Sequence, residues 1–162
     1  LLGFSPIILS EPMKEKRAQG EQFGADSVID PLTEDIRRKG QEWTAGVGFE
    51  TILECSGVAE NIPLAMEMAA KGGAICMIGI LFSGVTLQQP MIMNFKEIRL
   101  TGSYSNTHEE NIACLKWMAE GKIDARPLIS DLISLEELPR VYQERIHPGK
   151  SLKVMLRIGD EF

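Results

Sequence analysis

The stretch of residues 49–79 constrains the fold of this chain more than any other. An apolar run at residues 51–55 ends in Ser56 and Gly57, a helix-like segment follows, and a second apolar run ends at Gly79. This order of strand, turn, helix and strand predicts a βαβ unit with parallel strands. Ligands of open α/β sheets bind beyond the carboxyl ends of the parallel strands. We therefore expect a binding site around these two turns.

The same alternation continues on both sides of this unit. Apolar or alternating runs predict strands at residues 6–10, 27–29, 51–55, 74–78, 85–87, 97–100 and 151–158. Charge patterns and capping residues favour helices at residues 13–23, 33–43, 58–71, 90–94, 107–120 and 135–144. In the fifth of these helices, Ile112, Leu115 and Met118 recur at helical spacing and predict a stripe that faces the core. The chain is thus predicted to be an α/β protein with a mostly parallel sheet.

The composition is that of an ordinary globular domain. With 162 residues and a net charge of −6, the chain lacks the basic surface that nucleic acid or an anionic membrane requires. No apolar run approaches the roughly 18 residues needed to cross a bilayer, and the first residues do not resemble a secretory leader. Cys55, Cys76 and Cys114 lie far apart, so we expect buried thiols rather than a disulfide or a metal site. A reducing cytoplasm fits this usage.

One acidic residue occupies a position with a known chemical use. Glu11 follows the first strand-like run, where a carboxylate can accept hydrogen bonds from both hydroxyls of a ribose and repel a 2′-phosphate. A solvated glutamate near a helix start is the alternative. His108 and His147 are expected at the surface, and no HExxH, CxxC or GxSxG motif is present. Local chemistry therefore indicates no catalytic set.

Seven segments, spread over nearly the whole chain, carry a resemblance to a known family. They are Ile7-Ile8-Leu9-Ser10-Glu11-Pro12, Phe23-Gly24-Ala25-Asp26, Gly48-Phe49-Glu50, Glu54-Cys55-Ser56-Gly57, Lys71-Gly72-Gly73 with Gly79, Ile98-Arg99-Leu100-Thr101-Gly102-Ser103-Tyr104, and Gly149-Lys150-Ser151-Leu152-Lys153-Val154-Met155-Leu156. In this order they resemble the cofactor-binding domain of the zinc-dependent medium-chain alcohol dehydrogenases, especially the sorbitol and threonine dehydrogenase branch.

The resemblance implies eleven cofactor-binding residues, namely Glu11, Lys16, Ser56, Gly57, Ile78, Gly79, Ile80, Ser103, Tyr104, Ser105 and Lys153. Glu11 would hold the adenosine ribose and favour NAD over NADP, with Lys16 near the same ribose. Residues 56–57 would border the cofactor, and residues 78–80 would offer backbone groups to its nicotinamide end. Residues 103–105 would lie beside the nicotinamide and its ribose. Lys153 would contact the pyrophosphate, an exposed strand lysine being the alternative.

Two parts of the family pattern are missing from this sequence. The glycine-rich fingerprint and the first strand would precede residue 7, and that strand normally lies at the centre of the sheet. The family's other domain, which carries the catalytic zinc and its ligands, is also absent. In such an enzyme zinc polarises an alcohol while hydride passes to the nicotinamide. We therefore expect residues 1–162 to form a single nucleotide-binding domain, Rossmann-like and doubly wound, lacking its first strand and glycine-rich loop.

The resemblance implies the C-terminal part of a longer NAD-dependent dehydrogenase that oxidises a secondary alcohol or polyol, with zinc held only in the parent enzyme. This chain by itself would be inactive. The alternatives are a zinc-free quinone or enoyl reductase of the same superfamily, against which Glu11 argues, and a non-catalytic nucleotide-binding or interaction module. Relatives pair subunits through a short strand after Gly79. A homodimer or tetramer that pairs through Val85, Thr86, Leu87 and Gln88 is therefore expected.

Overall fold

A computed structural model describes residues 2–159 of the chain. Within these residues the strands are β1 (Ile8–Ser10), β2 (Ser27–Ile29), β3 (Phe49–Glu54), β4 (Ala69–Met77), β5 (Arg99–Gly102), β6 (Ile129–Ile133) and β7 (Lys153–Leu156). The α-helices are α1 (Lys14–Gln22), α2 (Ile36–Trp43), α3 (Asn61–Met68), α4 (Met91–Lys96), α5 (His108–Ala119) and α6 (Leu138–Val141). A 3-10 turn at Arg126–Leu128 precedes β6, and a π-helical turn at Tyr142–Ile146 continues α6.

The chain divides into two compact units, Leu1–Ser105 and Asn106–Phe162. The first unit holds a two-stranded sheet, β1-β2, and a three-stranded sheet, β3-β4-β5, and the second holds the sheet β6-β7. Every strand pair among the described residues is parallel. Parallel neighbours need crossover connections, and α1, α3, α4 and α6 with its π-helical turn lie within those connections. The predicted α/β class and the Rossmann-like, mostly parallel pairing are confirmed.

The two sheets of the first unit are not joined by hydrogen bonds between strands. Among the described residues β1 pairs with β2 alone, and β3 pairs with β4 alone. One edge of β1 and one edge of β3 thus carry backbone groups that no described strand uses. From the sequence, the first strand of the fold is expected between these two edges, and that placement stays a prediction.

The core of the first unit lies between α3 and the three-stranded sheet. Ile62 and Met66 of α3 and Ile75 of β4 are almost completely buried, and Ile98 completes the cluster. Helix α3 is mostly apolar, so it packs against the sheet and leaves few polar groups to satisfy. At its C-terminal end the Lys96 ammonium donates to three carbonyl oxygens, those of Met66, Glu67 and Ala69. A cation bound there satisfies carbonyl groups that a helix end leaves without partners.

Several predicted element boundaries are wrong, each for a local reason. Helix α2 begins at Ile36 because the Asp35 side chain, not Thr33, accepts the capping hydrogen bond from the Arg38 N–H at 3.0 Å. Strand β4 begins at Ala69 rather than at residue 74. Phe49 aligns with Ala69 and Thr51 with Ala74, so the intervening residues bulge out of the register.

Two apolar segments also differ from the prediction. Residues 85–88 form no strand in the single chain, because a strand requires a hydrogen-bonded partner, and Leu87 packs half-buried against the core cluster. The expected core-facing stripe of α5 is wrong, since Ile112, Leu115 and Met118 are 52%, 65% and 42% exposed. In the described part of the chain α5 therefore buries no residue.

The three cysteines are free, and none of them is fully buried, contrary to the expectation of buried thiols. Cys55 and Cys114 are exposed and Cys76 is half-buried. Cys55 comes directly after β3, on the edge of the sheet that no described strand covers, and Cys114 lies on the uncovered helix α5. The prediction failed because an apolar run in the sequence indicates a strand but not how well both of its faces are covered.

Candidate functional site

The carboxyl ends of β3, β4 and β5 lie level with one another. Glu54 is in register with Met77, and Met77 with Gly102. The segments that follow these strands therefore emerge at the same edge of the sheet. The Ser103 N–H donates to the Met77 carbonyl at 2.9 Å, which continues the pairing of β5 with β4 into the segment after β5. The structure thus brings together the predicted site residues around positions 56, 79 and 103.

Glu54 organises the turn after β3. Its side chain is buried, and its carboxylate accepts hydrogen bonds from the Ser56 N–H at 2.9 Å, from the Ser56 hydroxyl, and from the Gly57 N–H at 3.1 Å. The Ser56 oxygen in turn accepts from Val58 N–H and from the Asn61 amide. Gly57 adopts a φ of +72°, a conformation that favours glycine. Sequence reasoning identified Ser56 and Gly57 but missed the glutamate that fixes them.

The backbone of Glu54 holds the next turn as well. Its carbonyl oxygen accepts from the Ile78 N–H at 2.7 Å and from the Gly79 N–H at 2.9 Å. These two N–H groups, which the resemblance offered to the nicotinamide, are thus already used within the protein. Gly79 packs so closely against Gly57 and Glu54 that a Cβ would lie under 3.0 Å from backbone atoms of the first turn. Only glycine fits there.

The electrostatics of this region favour an ionised Glu54. Burial raises the pKa of its carboxyl group, but the hydrogen bonds donated by Ser56 and Gly57 outweigh burial, so the pKa lies below the usual value. The neighbouring thiol responds in the opposite direction. Although Cys55 is an exposed residue, its thiol is partly shielded from water, and this desolvation, together with the charge of Glu54 and the nearby Cys76, raises its pKa. At neutral pH the site therefore contains a carboxylate beside a protonated thiol.

Exposed apolar and polar side chains border these turns. Ile78 is 45% exposed and Ile80 54%, and Tyr104 is 85% exposed. Ser103 and Ser105 are exposed, and Ser105 has a φ of +61°, which turns the chain sharply after β5. The edge therefore presents backbone carbonyls, hydroxyls and apolar surface together, a combination that suits a ligand with both a flat ring and polar groups.

A second group of functional side chains lies at the ends of β1 and β2. The Glu11 N–H donates to the Ile29 carbonyl at 3.1 Å, and a Glu11 carboxylate oxygen accepts from the Met13 N–H at 2.8 Å. The carboxylate thereby stays at the strand end, beside the start of α1. Lys16 is half-buried in the first turn of that helix.

Arg17 fixes this second group, and sequence reasoning missed it. Its guanidinium donates to the carbonyl oxygens of Glu11 and Pro12 at 2.6 and 2.7 Å and pairs with Asp30 at 3.0 Å. Both charged side chains are mostly buried, with 17% and 19% of their surface exposed. The sequence feature that could have indicated this ion pair is a basic residue in the first turn of α1 together with an acidic residue directly after β2.

The remaining predicted residue, Lys153, lies in the second unit. It is exposed and begins β7. In this unit Asp131 accepts from the hydroxyls of Ser151 and Ser130 and pairs with Arg145. The Ser151 hydrogen bond and the Arg145 guanidinium lower the pKa of Asp131 to about 2. These contacts connect β6 with the segment just before β7 and with the π-helical turn. Asp131 therefore has a structural role in this unit.

Neither a group of metal ligands nor a membrane-spanning helix is found among the described residues. Among residues 2–159, no three His, Cys, Asp or Glu side chains are grouped so that they could hold a metal ion. In the same range no helix combines the length and the apolar character that crossing a membrane requires.

The parallel crossovers, the acidic residue after β1 and the glycine turns after β3 and β4 define the class of protein, a nucleotide-binding α/β domain. A family model described as zinc-binding dehydrogenase matches residues 1–120, and the chain belongs to that family.

Relatives and solved structures agree with this assignment. The chain is 29% identical over 155 residues to scyllo-inosose 3-dehydrogenase of Thermotoga maritima and 25% identical over 157 residues to L-threonine 3-dehydrogenase of Pyrococcus horikoshii. These alignments cover 93% and 96% of the chain but only 39% and 45% of the relatives. The chain thus spans less than half the length of these relatives.

Two solved structures show the same architecture. Alcohol dehydrogenase TADH from Thermus sp. ATN1 superposes with a TM-score of 0.89 at 26% identity, over 98% of this chain and 45% of that one. A protein from Sinorhizobium meliloti 1021, described as a zinc-binding dehydrogenase and solved bound to NADP, gives a TM-score of 0.82 at 31% identity, over 94% of this chain and 45% of that one. A nucleotide therefore binds to at least one relative of this fold.

Proposed function

We propose that this chain is the NAD-binding portion of a zinc-dependent dehydrogenase that oxidises a secondary alcohol or polyol. The observation that carries the proposal is the Glu11 carboxylate at the end of β1, where it is held by the Met13 N–H. A carboxylate has about four acceptor positions. Glu11 therefore retains capacity for two ribose hydroxyls after this contact, as adenosine recognition in such sheets requires.

The surroundings of Glu11 support NAD rather than NADP as the cofactor. A 2′-phosphate needs a cation that is free to bind it, and Arg17, which contacts the backbone of Glu11, is not free. Its guanidinium already pairs with Asp30 and donates to two carbonyl oxygens. The negative charges of Glu11 and Asp30, with only this engaged arginine to balance them, disfavour binding of a 2′-phosphate, which carries two negative charges itself. Lys16, half-buried in the same turn, would lie near the ribose.

The other predicted residues would form the nicotinamide side of the site. Residues 56–57 would border the cofactor, while the carbonyl groups of residues 78–80 would face its carboxamide. Residues 103–105 would contact the nicotinamide and its ribose, and Lys153 would neutralise the pyrophosphate. The glycine turns allow close backbone approach, which fits a flat ring at this edge. When bound, NAD supplies a hydride acceptor.

Zinc and the alcohol substrate belong, in this proposal, to a part of the protein outside this chain. The described residues contain no group that fits zinc, so no step involving the metal is assigned to them. The relatives' names, which include an inosose and a threonine dehydrogenase, support a small polyol or amino alcohol as substrate. We place the protein in the cytoplasm, in accordance with its three free thiols.

We further propose that subunits pair through residues 85–88. Val85, Thr86 and Gln88 are exposed, and the segment has no strand partner among the described residues. Pairing with a two-fold related copy would provide that partner. The half-buried Leu87 would stay anchored in its own core. Light scattering of the full-length protein should give a dimer or tetramer, and a monomer would exclude this pairing.

The cofactor assignment is tested by Glu11→Ala in the full-length protein. Loss of hydrogen bonds to a charged group should raise the KM for NAD about tenfold or more, with little change for the alcohol. The measurement is steady-state kinetics with NAD and NADP as alternative cofactors.

The matched control is Glu15→Ala, which removes an exposed carboxylate from the first turn of the same helix. It should leave the KM for NAD unchanged, because Glu15 lies outside the strand end. If the unmodified protein uses NADP as well as NAD, the role of Glu11 is wrong. If it oxidises no alcohol with either cofactor, the whole proposal fails.

A further inference from the structure

One residue holds both turns at the edge of the three-stranded sheet. The Glu54 carboxylate binds the N–H groups of Ser56 and Gly57, and its carbonyl oxygen binds those of Ile78 and Gly79. The four N–H groups belong to two segments that are separated by α3 and β4. The carboxylate and the carbonyl oxygen of one residue thus accept from four backbone donors of the two turns, and the bond from Ile78 continues the pairing of β3 with β4.

The two turns are also interlocked by packing. A Cβ on Gly79 would lie 2.9 Å from a Glu54 carboxylate oxygen, and a Cβ on Gly57 would lie 2.5 Å from the Ile80 carbonyl oxygen. Real Cβ atoms essentially never come under 3.0 Å. The two turns therefore lie in direct backbone contact, with a Glu54 carboxylate oxygen beside them, and neither has room for a side chain.

We propose that Glu54 is a positioning residue of the cofactor site: its ionised carboxylate fixes the Ser56–Gly57 turn, and that turn, packed against Gly79, fixes the second turn together with the Glu54 carbonyl oxygen. It acts through the backbone rather than by contact with the cofactor, since its side chain is 5% exposed. The role in cofactor binding rests on the proposed function above, whereas the coupling of the two turns does not.

Ionisation is essential to this role. The groups that face the carboxylate are hydrogen-bond donors from the first turn, with Asn61 of α3 behind Ser56 and the backbone of Gly79 opposite. A neutral carboxylic acid would present its own O–H toward an N–H. Beside it, the Cys55 thiol has a raised pKa and keeps its proton through the acid range. Protonation of Glu54 should therefore loosen the Ser56–Gly57 turn and, through the backbone contact of Gly57 with Gly79, the second turn as well.

The sign follows from the lowered pKa of Glu54 in the folded chain. Its contribution is fully present above the ordinary pKa of an unfolded glutamate and is lost as the pH falls through the folded value. We expect the amide resonances of Gly57 and Gly79 to titrate together, with one apparent pKa below the usual range for glutamate. The measurement is an acid titration of the 15N-labelled full-length protein by NMR.

The test compares three variants. Glu54→Gln keeps the shape but turns an amide donor toward an N–H group, so the shared titration should vanish. Glu54→Asp keeps the charge and should retain it. Glu50→Gln changes an exposed glutamate of the same strand and should leave both resonances unchanged. If Gly57 titrates while Gly79 does not, or if Glu54→Gln preserves the shared titration, the coupling is refuted.

Cofactor binding supplies the second measurement. In the full-length protein, Glu54→Gln should weaken NAD binding about tenfold, with part of the affinity recovered by Glu54→Asp. Equal affinity in the unmodified and Gln proteins would refute the positioning role. If the unmodified protein fails to bind NAD, the proposed function falls, and the titration still decides whether Glu54 couples the turns.

Discussion

Two clusters at the strand ends of the first unit perform similar tasks by different means. At the end of β3–β4–β5 a buried carboxylate binds backbone N–H groups, and glycines pack backbone against backbone. At the end of β1–β2 the mostly buried guanidinium of Arg17 binds two carbonyl oxygens and Asp30. The first cluster is built from main chain around an anion, and the second from long side chains around a cation.

The difference determines how each cluster responds to change. Backbone atoms cannot rotate away from an added group, so the glycine turns should tolerate no side chain. Long side chains can adopt other rotamers, so substitutions in the Arg17 cluster should lower the stability by smaller amounts. We infer that the first cluster sets the shape of a rigid surface and that the second sets the charge presented to a ligand.

The largest expected effect is that of Gly79→Ala. The new methyl group would collide with the backbone of Gly57 and Cys55 and with the Glu54 carboxylate. Overpacking against main chain should lower the free energy of unfolding by about 3 kcal/mol. Urea denaturation followed by circular dichroism measures this loss.

Gly102→Ala is the matched control, because a Cβ there would meet no described atom within 4 Å. It should change the stability by less than about 0.5 kcal/mol. Equal effects of the two substitutions would show that the glycine turn is not rigid, and the contrast between the clusters would disappear.

An intermediate effect is expected for Arg17→Met, which keeps the aliphatic stem and removes the charge. Loss of a mostly buried ion pair and of two carbonyl hydrogen bonds should lower the free energy of unfolding by about 1–2 kcal/mol. The same change at Arg38, whose ion pair with Glu42 is exposed, should cost under about 0.5 kcal/mol. If both arginine variants lose the same stability in urea denaturation, the Arg17 cluster contributes no more than a surface pair.

The smallest effect is expected for Gly20→Ala, in the helix that follows β1. Here the added Cβ would meet only the side chain of Leu9, whose end can rotate. The gain in helix propensity of about 1 kcal/mol should roughly offset the repacking, so the stability should change by less than about 1 kcal/mol. A loss in urea denaturation as large as that of Gly79→Ala would mean that glycine contacts with side chains are as restrictive as contacts with backbone.

Much of the fold could be predicted because its signals are local. The run at residues 7–9 and the glycine stop at Gly24 gave β1 and α1 nearly at their observed positions. Thr107 caps α5, one of the two adjacent polar residues that the sequence offers for this role, and Glu110 completes a capping box. Such signals depend on residues three or four positions apart, which a sequence displays directly.

The errors arose where the answer depends on distant residues. The helical spacing of Ile112, Leu115 and Met118 defines a common face but not what covers it, and the face is exposed. Likewise the apolar character of residues 85–87 is compatible with a strand, yet strand formation requires a partner.

The sequence by itself determined the α/β alternation, the family, and the turns after β1, β3, β4 and β5 as candidate cofactor-binding positions. Periodicity, glycine turns and charge at strand ends are encoded by neighbouring residues. Only the tertiary structure decided how those turns are held. It showed that Glu54 binds both glycine turns and that Arg17 reaches Asp30 across two strand ends. These contacts depend on the parallel register, which places residues more than ten positions apart within hydrogen-bond distance, and no local pattern specifies that register.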